Sequence, residues 1–125
     1  MHKVLIALVI GVSCQASFAA SGVTYLSCPS LDKRADDLLV IVDQPSGTAS
    51  LQSNKSGSGL NFTSPASFGP KEVIWRSESK NLQQKFSVNR VNLILKRETT
   101  SGLTGSIYVE TSPCSIVKAP SNTKF

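Results

Sequence analysis

The stretch Phe86-Ser87-Val88-Asn89-Arg90-Val91-Asn92-Leu93-Ile94-Leu95-Lys96 decides how this chain folds. Apolar side chains stand at 86 and 88 and then at 91, 93 and 95, so the alternation changes parity across Asn89-Arg90. Successive side chains of a strand point to opposite faces, and one flat strand with this pattern would turn its apolar face into solvent halfway along. A bulge or a tight turn at Asn89-Arg90 restores the face, and curvature of that kind suits a small barrel.

Short apolar or alternating segments flank this stretch on both sides. They run over 23–27, 38–43, 48–52, 60–63, 72–77, 84–88, 91–97, 106–111 and 115–118. Between them lie Gln44-Pro45-Ser46-Gly47, Lys55-Ser56-Gly57-Ser58-Gly59, Ser67-Phe68-Gly69-Pro70 and Thr99-Thr100-Ser101-Gly102, each with the Gly or Pro that a turn requires. No apolar pattern of helical period persists, which leaves an all-β fold with hairpin-connected antiparallel strands. The expected architecture is a small antiparallel barrel, with a β-sandwich as the alternative. Leu38-Leu39-Val40-Ile41-Val42 is unbroken apolar and predicts a strand that is central or covered on both faces. Ser30 to Asp37 is the one segment suited to a helical turn, with Ser30 as its N-cap.

The 125 residues suffice for one domain, and the first of them read as an address. Met1-His2-Lys3 is a short cationic start, Val4 to Val12 is an apolar run, and Ser17 and Ala19 are the small residues expected before a signal-peptidase cut. Nine helical residues rise about 13–14 Å against a hydrocarbon core of about 30 Å, too short for a transmembrane anchor. The expected division is a signal peptide over 1–19, cut after Ala19 or Ala20, and a single exported domain over 20–125. That domain would be periplasmic or secreted. Lipidation at Cys14 is disfavoured, because Gly11 stands where a larger aliphatic residue is usual.

Removal of the signal takes Cys14 with it, leaving Cys28 and Cys114 in an oxidising compartment. One disulfide between them is expected, closing a loop of about 86 residues.

The same step removes His2, the only histidine. Ser–His–Asp and Cys–His catalysis then have no imidazole, and zinc sites built from His or from free thiolates have no ligands. No Gly-rich loop sits between a strand and a helix, so neither nucleotide fingerprint is present. The sequence therefore predicts a non-enzyme with no cofactor and no metal. Asp36-Asp37 reads as a polar turn, and Trp75 as a core residue.

Charge is distributed unevenly. Ala20 to Pro70 holds 3 basic and 4 acidic residues, whereas Lys71 to Phe125 holds 9 and 4. Arg76, Lys80, Lys85, Arg90, Lys96 and Arg97 could form a face for an anionic envelope glycan or lipid. Nucleic acid is disfavoured by export and by a content of only eight aromatic residues.

The loop Ser56-Gly57-Ser58-Gly59-Leu60-Asn61-Phe62 followed by Val73-Ile74-Trp75 resembles the small exported bacterial inhibitors of c-type lysozyme, the membrane-bound and periplasmic kind. That family pairs a Ser-rich SxSGxxY loop with a later aromatic strand and a Cys near each end. Here Asn61 stands where a basic residue is usual, and Arg76-Ser77-Glu78 replaces a Lys-Gly. The chain is also similar to other short exported bacterial β proteins. The resemblance implies a β-barrel that inhibits a protein partner, lysozyme, with Ser56, Ser58, Gly59 and Asn61 in the inhibitory loop.

Overall fold

The computed structural model describes residues 22–55, 57, 59–79 and 82–120. The expected signal peptide over 1–19, with Cys14 and both proposed cleavage positions, lies outside the described residues, as do Ser56, Ser58 and Lys80. Nine strands follow in chain order: β1 (Val23–Ser27), β2 (Leu39–Asp43), β3 (Thr48–Gln52), β4 (Phe62–Phe68), β5 (Glu72–Ser79), β6 (Leu82–Asn89), β7 (Ile94–Ser101), β8 (Ile107–Pro113) and β9 (Ser115–Val117). Every neighbouring pair is antiparallel, in the order β8-β7-β6-β5-β4-β3-β2-β1-β9.

The chain changes sheet partner at two corners, within β4 and between β8 and β9, and this makes the sheet a nearly closed barrel and not a sandwich. In β4 the residues from Phe62 to Pro65 pair with β3, while Ala66 to Phe68 pair with β5. Pro65, which has no N–H to give, stands at the change-over, and Ala66 N donates to Gly47 O at 2.9 Å. At the opposite corner 107–113 pair with β7 and, beyond Cys114, 115–117 pair with β1. The Cys28–Cys114 disulfide fastens this second corner, joining the end of β1 to the link between β8 and β9.

The parity switch at Asn89-Arg90 is resolved by the tight turn. Asn89 ends β6, and its Oδ1 accepts the N–H groups of Val91 and Asn92 at 2.8 and 2.9 Å. Leu93 N closes the turn on Asn89 O at 2.9 Å. Val91 is thus a solvent-exposed turn residue, and the strand expected from 91 begins at Ile94. The Asn side chain supplies the turn with two acceptor bonds that no alternation pattern displays.

The interior is built in rows across the sheet. Trp75, Phe86 and Arg97 are register partners on the inward face, as are Val73, Val88 and Leu95. Trp75 stacks on Phe86 with ring centroids 5.7 Å apart and planes 6° from parallel. In β2, Val40 and Val42 are buried while Leu39 and Ile41 are half-buried, so the apolar run is central in the sheet but not covered equally on both faces.

The 28–38 segment contains a 3-10 turn at Lys33–Ala35. Its N-cap is Asp32 and not Ser30: Asp32 Oδ1 accepts Arg34 N at 2.9 Å. The burial of Leu31 and Ala35 sets the turn two residues later than the sequence pattern implies. Ser30 N instead reaches across the corner to Ser112 Oγ at 3.0 Å. Antiparallel succession places connections 28–38, 53–61 and 102–106 at one end of the barrel and 44–47, 69–71 and 90–93 at the other.

Candidate functional site

The end that carries the 28–38 and 53–61 connections holds the densest polar organisation in the described chain. Leu60 is buried in the core and Phe62 packs on Phe86 at 5.7 Å between centroids, so the base of the 53–61 loop is anchored in apolar contacts. Gly57 and Gly59 have φ values of 96° and 74°, in the left-handed region that glycine enters without steric cost, and both are exposed. A Cβ at either position would meet nothing within 4 Å, so their requirement for glycine is conformational.

The 28–38 segment grips this loop from the side. Arg34 Nη1 donates to Gly57 O at 2.7 Å. Ser53 Oγ and Asn54 N donate to the two carboxylate oxygens of Asp37 at 2.6 and 2.8 Å. Lys55 Nζ pairs with Asp36. Within the loop, Asn61 Oδ1 accepts Ser53 N at 3.0 Å, so Asn61 braces the two ends of the loop. The Ser53 hydroxyl and then the Asn54 N–H hold the Asp37 carboxyl below its ordinary range, and Asp36 raises the Lys55 ammonium above its own.

Arg34 continues the network inward. Its Nε and Nη2 donate to Asp32 at 3.0 and 2.8 Å, and Asp32 Oδ2 also receives Arg97 Nη2 at 3.2 Å. Arg97 Nε completes the chain to Glu110 Oε1 on β8 at 2.8 Å. The Arg34 guanidinium is the main cause of an Asp32 carboxyl held far below the usual carboxylate range; burial opposes it and loses. Arg97 is 4% exposed; burial disfavours its charge, but Glu110 and Asp32 outweigh that.

Arg97 is therefore not part of an outer basic face. Leu95 and Arg97 share the inward parity of β7, and the guanidinium is consumed by two carboxylates. The other cations of the expected face are divided. Arg76 and Lys85 are register partners on the outer side of β5 and β6, and Lys96 stands on the outer side of β7, 3.2 Å from Glu98. Glu72, Glu78 and Glu98 have the same outward parity, so three acidic groups are interspersed with three basic ones. Arg90 sits in the β6–β7 turn at the far end, donating to Gly69 O at 2.7 Å.

At that far end a cavity of about 150 Å³ is lined by Leu26, Val42, Phe68, Val73 and Val88, with Arg90 at its rim. Among the described residues no three His, Cys, Asp or Glu side chains are grouped to hold a metal ion. No described helix is long and apolar enough to cross a membrane.

The residues that organise the loop, Arg34, Asp36, Asp37 and Ser53, are absent from the sequence-based site. The adjacent Asp36-Asp37 before an apolar strand was the available signal, since two carboxylates at one turn invite donors from a neighbouring connection.

Fold and site together define a disulfide-closed antiparallel β-barrel with a braced loop at one end. No family model, no curated protein and no solved structure matches the chain.

Proposed function

We propose that this protein is a non-catalytic binding module, exported from the cell, that inhibits a protein partner by inserting its 53–61 loop into the partner's cleft. The observation that carries the reading is the Arg34 Nη1 to Gly57 O hydrogen bond of 2.7 Å. It ties the exposed Gly57 to the 28–38 segment before any partner arrives, and preorganisation lowers the ordering cost of binding. The likeness of Ser56-Gly57-Ser58-Gly59-Leu60-Asn61-Phe62 to the loop of c-type lysozyme inhibitors makes lysozyme the partner to test. Asn61, in the place of the family's basic residue, serves the loop itself by accepting Ser53 N.

The alternative, an anionic glycan or lipid met through Arg76, Lys85 and Lys96, is less well supported. The interspersed Glu72, Glu78 and Glu98 reduce the field that such a partner would feel.

Calorimetric titration of c-type lysozyme with the wild-type protein and with Ser58→Trp separates the readings. A saturable one-to-one complex that the substitution abolishes, with unchanged circular dichroism, supports the proposal. Absence of any heat with the wild type, or equal binding by Ser58→Trp, overturns it.

A further inference from the structure

The cavity of about 150 Å³ lies at the end of the barrel opposite the 53–61 loop. Leu26, Val42, Val73 and Val88, from four different strands and each at most 8% accessible, form its walls. These side chains offer water no hydrogen bond. An apolar cavity of this size, lined by aliphatic and aromatic side chains, stays dry and accepts a molecule as large as benzene.

The cavity opens at the seam of the barrel. Strand β9 ends the sheet order, and Ile116 shares the inward face with its register partner Leu26 yet is 64% accessible. Leu93, in the 90–93 turn, also lines the cavity. Its φ of 60° is the one positive φ outside glycine among the described residues. A side chain with a Cβ adopts that conformation at a cost, and such residues persist where their surroundings hold them, often at ligand sites. Here Leu93 N donates to Asn89 O and Leu93 O accepts Cys114 N, both at 2.9 Å, so the turn and the disulfide corner fix the residue from both sides.

Arg90 is the one ionisable side chain among those that line the cavity. Its Nη1 donates to Gly69 O at 2.7 Å, beside the lining Phe68, which sets the guanidinium at the rim. Arg34 and Arg97 are engaged by carboxylates, whereas Arg90 meets none among the described residues.

We infer that the cavity binds a compact carboxylate. An apolar group of about six carbons enters beside Ile116 and Leu93 and rests on Val42, Val73 and Val88, as the volume allows. The carboxylate stays at the rim and accepts from Arg90, whose planar fork matches it and gives a charge-assisted bond that a neutral hydroxyl cannot equal. The mouth of a barrel, apolar within and with a cation at its edge, is a common place for such a ligand. This site does not depend on the 53–61 loop or on its partner.

Benzoate, benzyl alcohol and acetate are the probes, titrated into the disulfide-bonded protein and followed by amide chemical shifts. Benzoate is expected to saturate with a Kd of about 1 mM or below, shifting Val42 and residues 88–93 and leaving 53–61 unmoved. Benzyl alcohol lacks the charge and acetate lacks the ring, so each should bind at least about tenfold more weakly. Arg90→Gln should weaken benzoate by about tenfold and leave benzyl alcohol unchanged. Val42→Phe, which fills the cavity, should abolish both complexes, with the amide spectrum itself reporting whether the variant is folded. Benzoate that causes no saturable shifts in the wild type overturns the inference. So does undiminished benzoate binding by Arg90→Gln, or by a folded Val42→Phe.

Discussion

Arg97 Nη2 donates to Asp32 Oδ2 at 3.2 Å across 65 residues of chain, and both side chains are buried. Asp32 caps the 3-10 turn and Arg97 stands in the row of Trp75 and Phe86, so the contact fixes the 28–38 segment to the barrel wall. The same Asp32 receives Arg34, whose remaining nitrogen holds Gly57 O. The core of the barrel and the exposed loop are thus joined by successive hydrogen bonds through two guanidinium groups and one carboxylate.

Removing one partner of a buried ion pair leaves the other uncompensated, and such losses run to about 3–5 kcal/mol. Arg97→Met is expected near the lower limit, about 3 kcal/mol, because Arg34 still satisfies Asp32. Urea unfolding at neutral pH measures it. A loss below about 1 kcal/mol would mean that the pair is not holding the 28–38 segment.

Asp32 also predicts an acid limb of stability. Its folded carboxyl ionises below the ordinary value of 3.8, so the unfolded state binds the proton more readily. The stabilisation from this group is fully present above that ordinary value and is lost as pH falls below it toward the folded pKa. The gap in unfolding free energy between wild type and Asp32→Asn should therefore be constant from pH 7 to about pH 5 and narrow below about pH 4. Equal gaps at pH 6 and pH 2.5 would show that Asp32 ionisation does not stabilise the fold.

The Cys28–Cys114 bond closes a loop of 86 residues at the corner where the chain leaves β8 for β9. The chain-entropy model assigns about 4–5 kcal/mol to a loop of this length. The double variant Cys28→Ser, Cys114→Ser should lose about that much by equilibrium denaturation. Hydrogen exchange in it should rise first in β9, which has only three registered partners on β1.

Arg34→Ala tests the brace directly. The Arg34 side chain is exposed, but it is the main partner of the buried Asp32 carboxylate. A buried carboxylate deprived of that partner is expected to cost about 1–3 kcal/mol by urea unfolding, with the fold kept by the Arg97 contact. Amide exchange over 53–61 should accelerate several-fold while β5, β6 and β7 stay protected. Unaltered exchange in the loop would show that the Arg34 bond does not order it.

The β-strands were legible because their turns were. Gln44-Pro45-Ser46-Gly47 and Ser67-Phe68-Gly69-Pro70 mark their hairpins through residues that fix φ, and β1 and β3 have the bounds their alternation implies. The disulfide followed from the cysteine count once residues 1–19, with Cys14, were set apart as an expected signal peptide. The fate of Arg97 was not legible. A cation at an inward position reads like any surface cation until its carboxylates are placed, and Asp32 lies 65 residues away. The grip of Asp36 and Asp37 on the loop was hidden for the same reason, since hydrogen bonds between two connections leave no periodic trace. The exposed Ile107-Tyr108-Val109 edge was hidden by its apolar character, which in sequence is indistinguishable from that of a buried strand.

In the proposed function the 53–61 loop meets the partner. Hydrogen exchange of the protein with and without c-type lysozyme measures this at the residues concerned. Slowed exchange is expected over 53–61 and over the supporting 28–38 segment, with the 44–47 and 69–71 turns at the opposite end unchanged. Loop amides that exchange identically in saturating lysozyme, or protection confined to the opposite end, would contradict it.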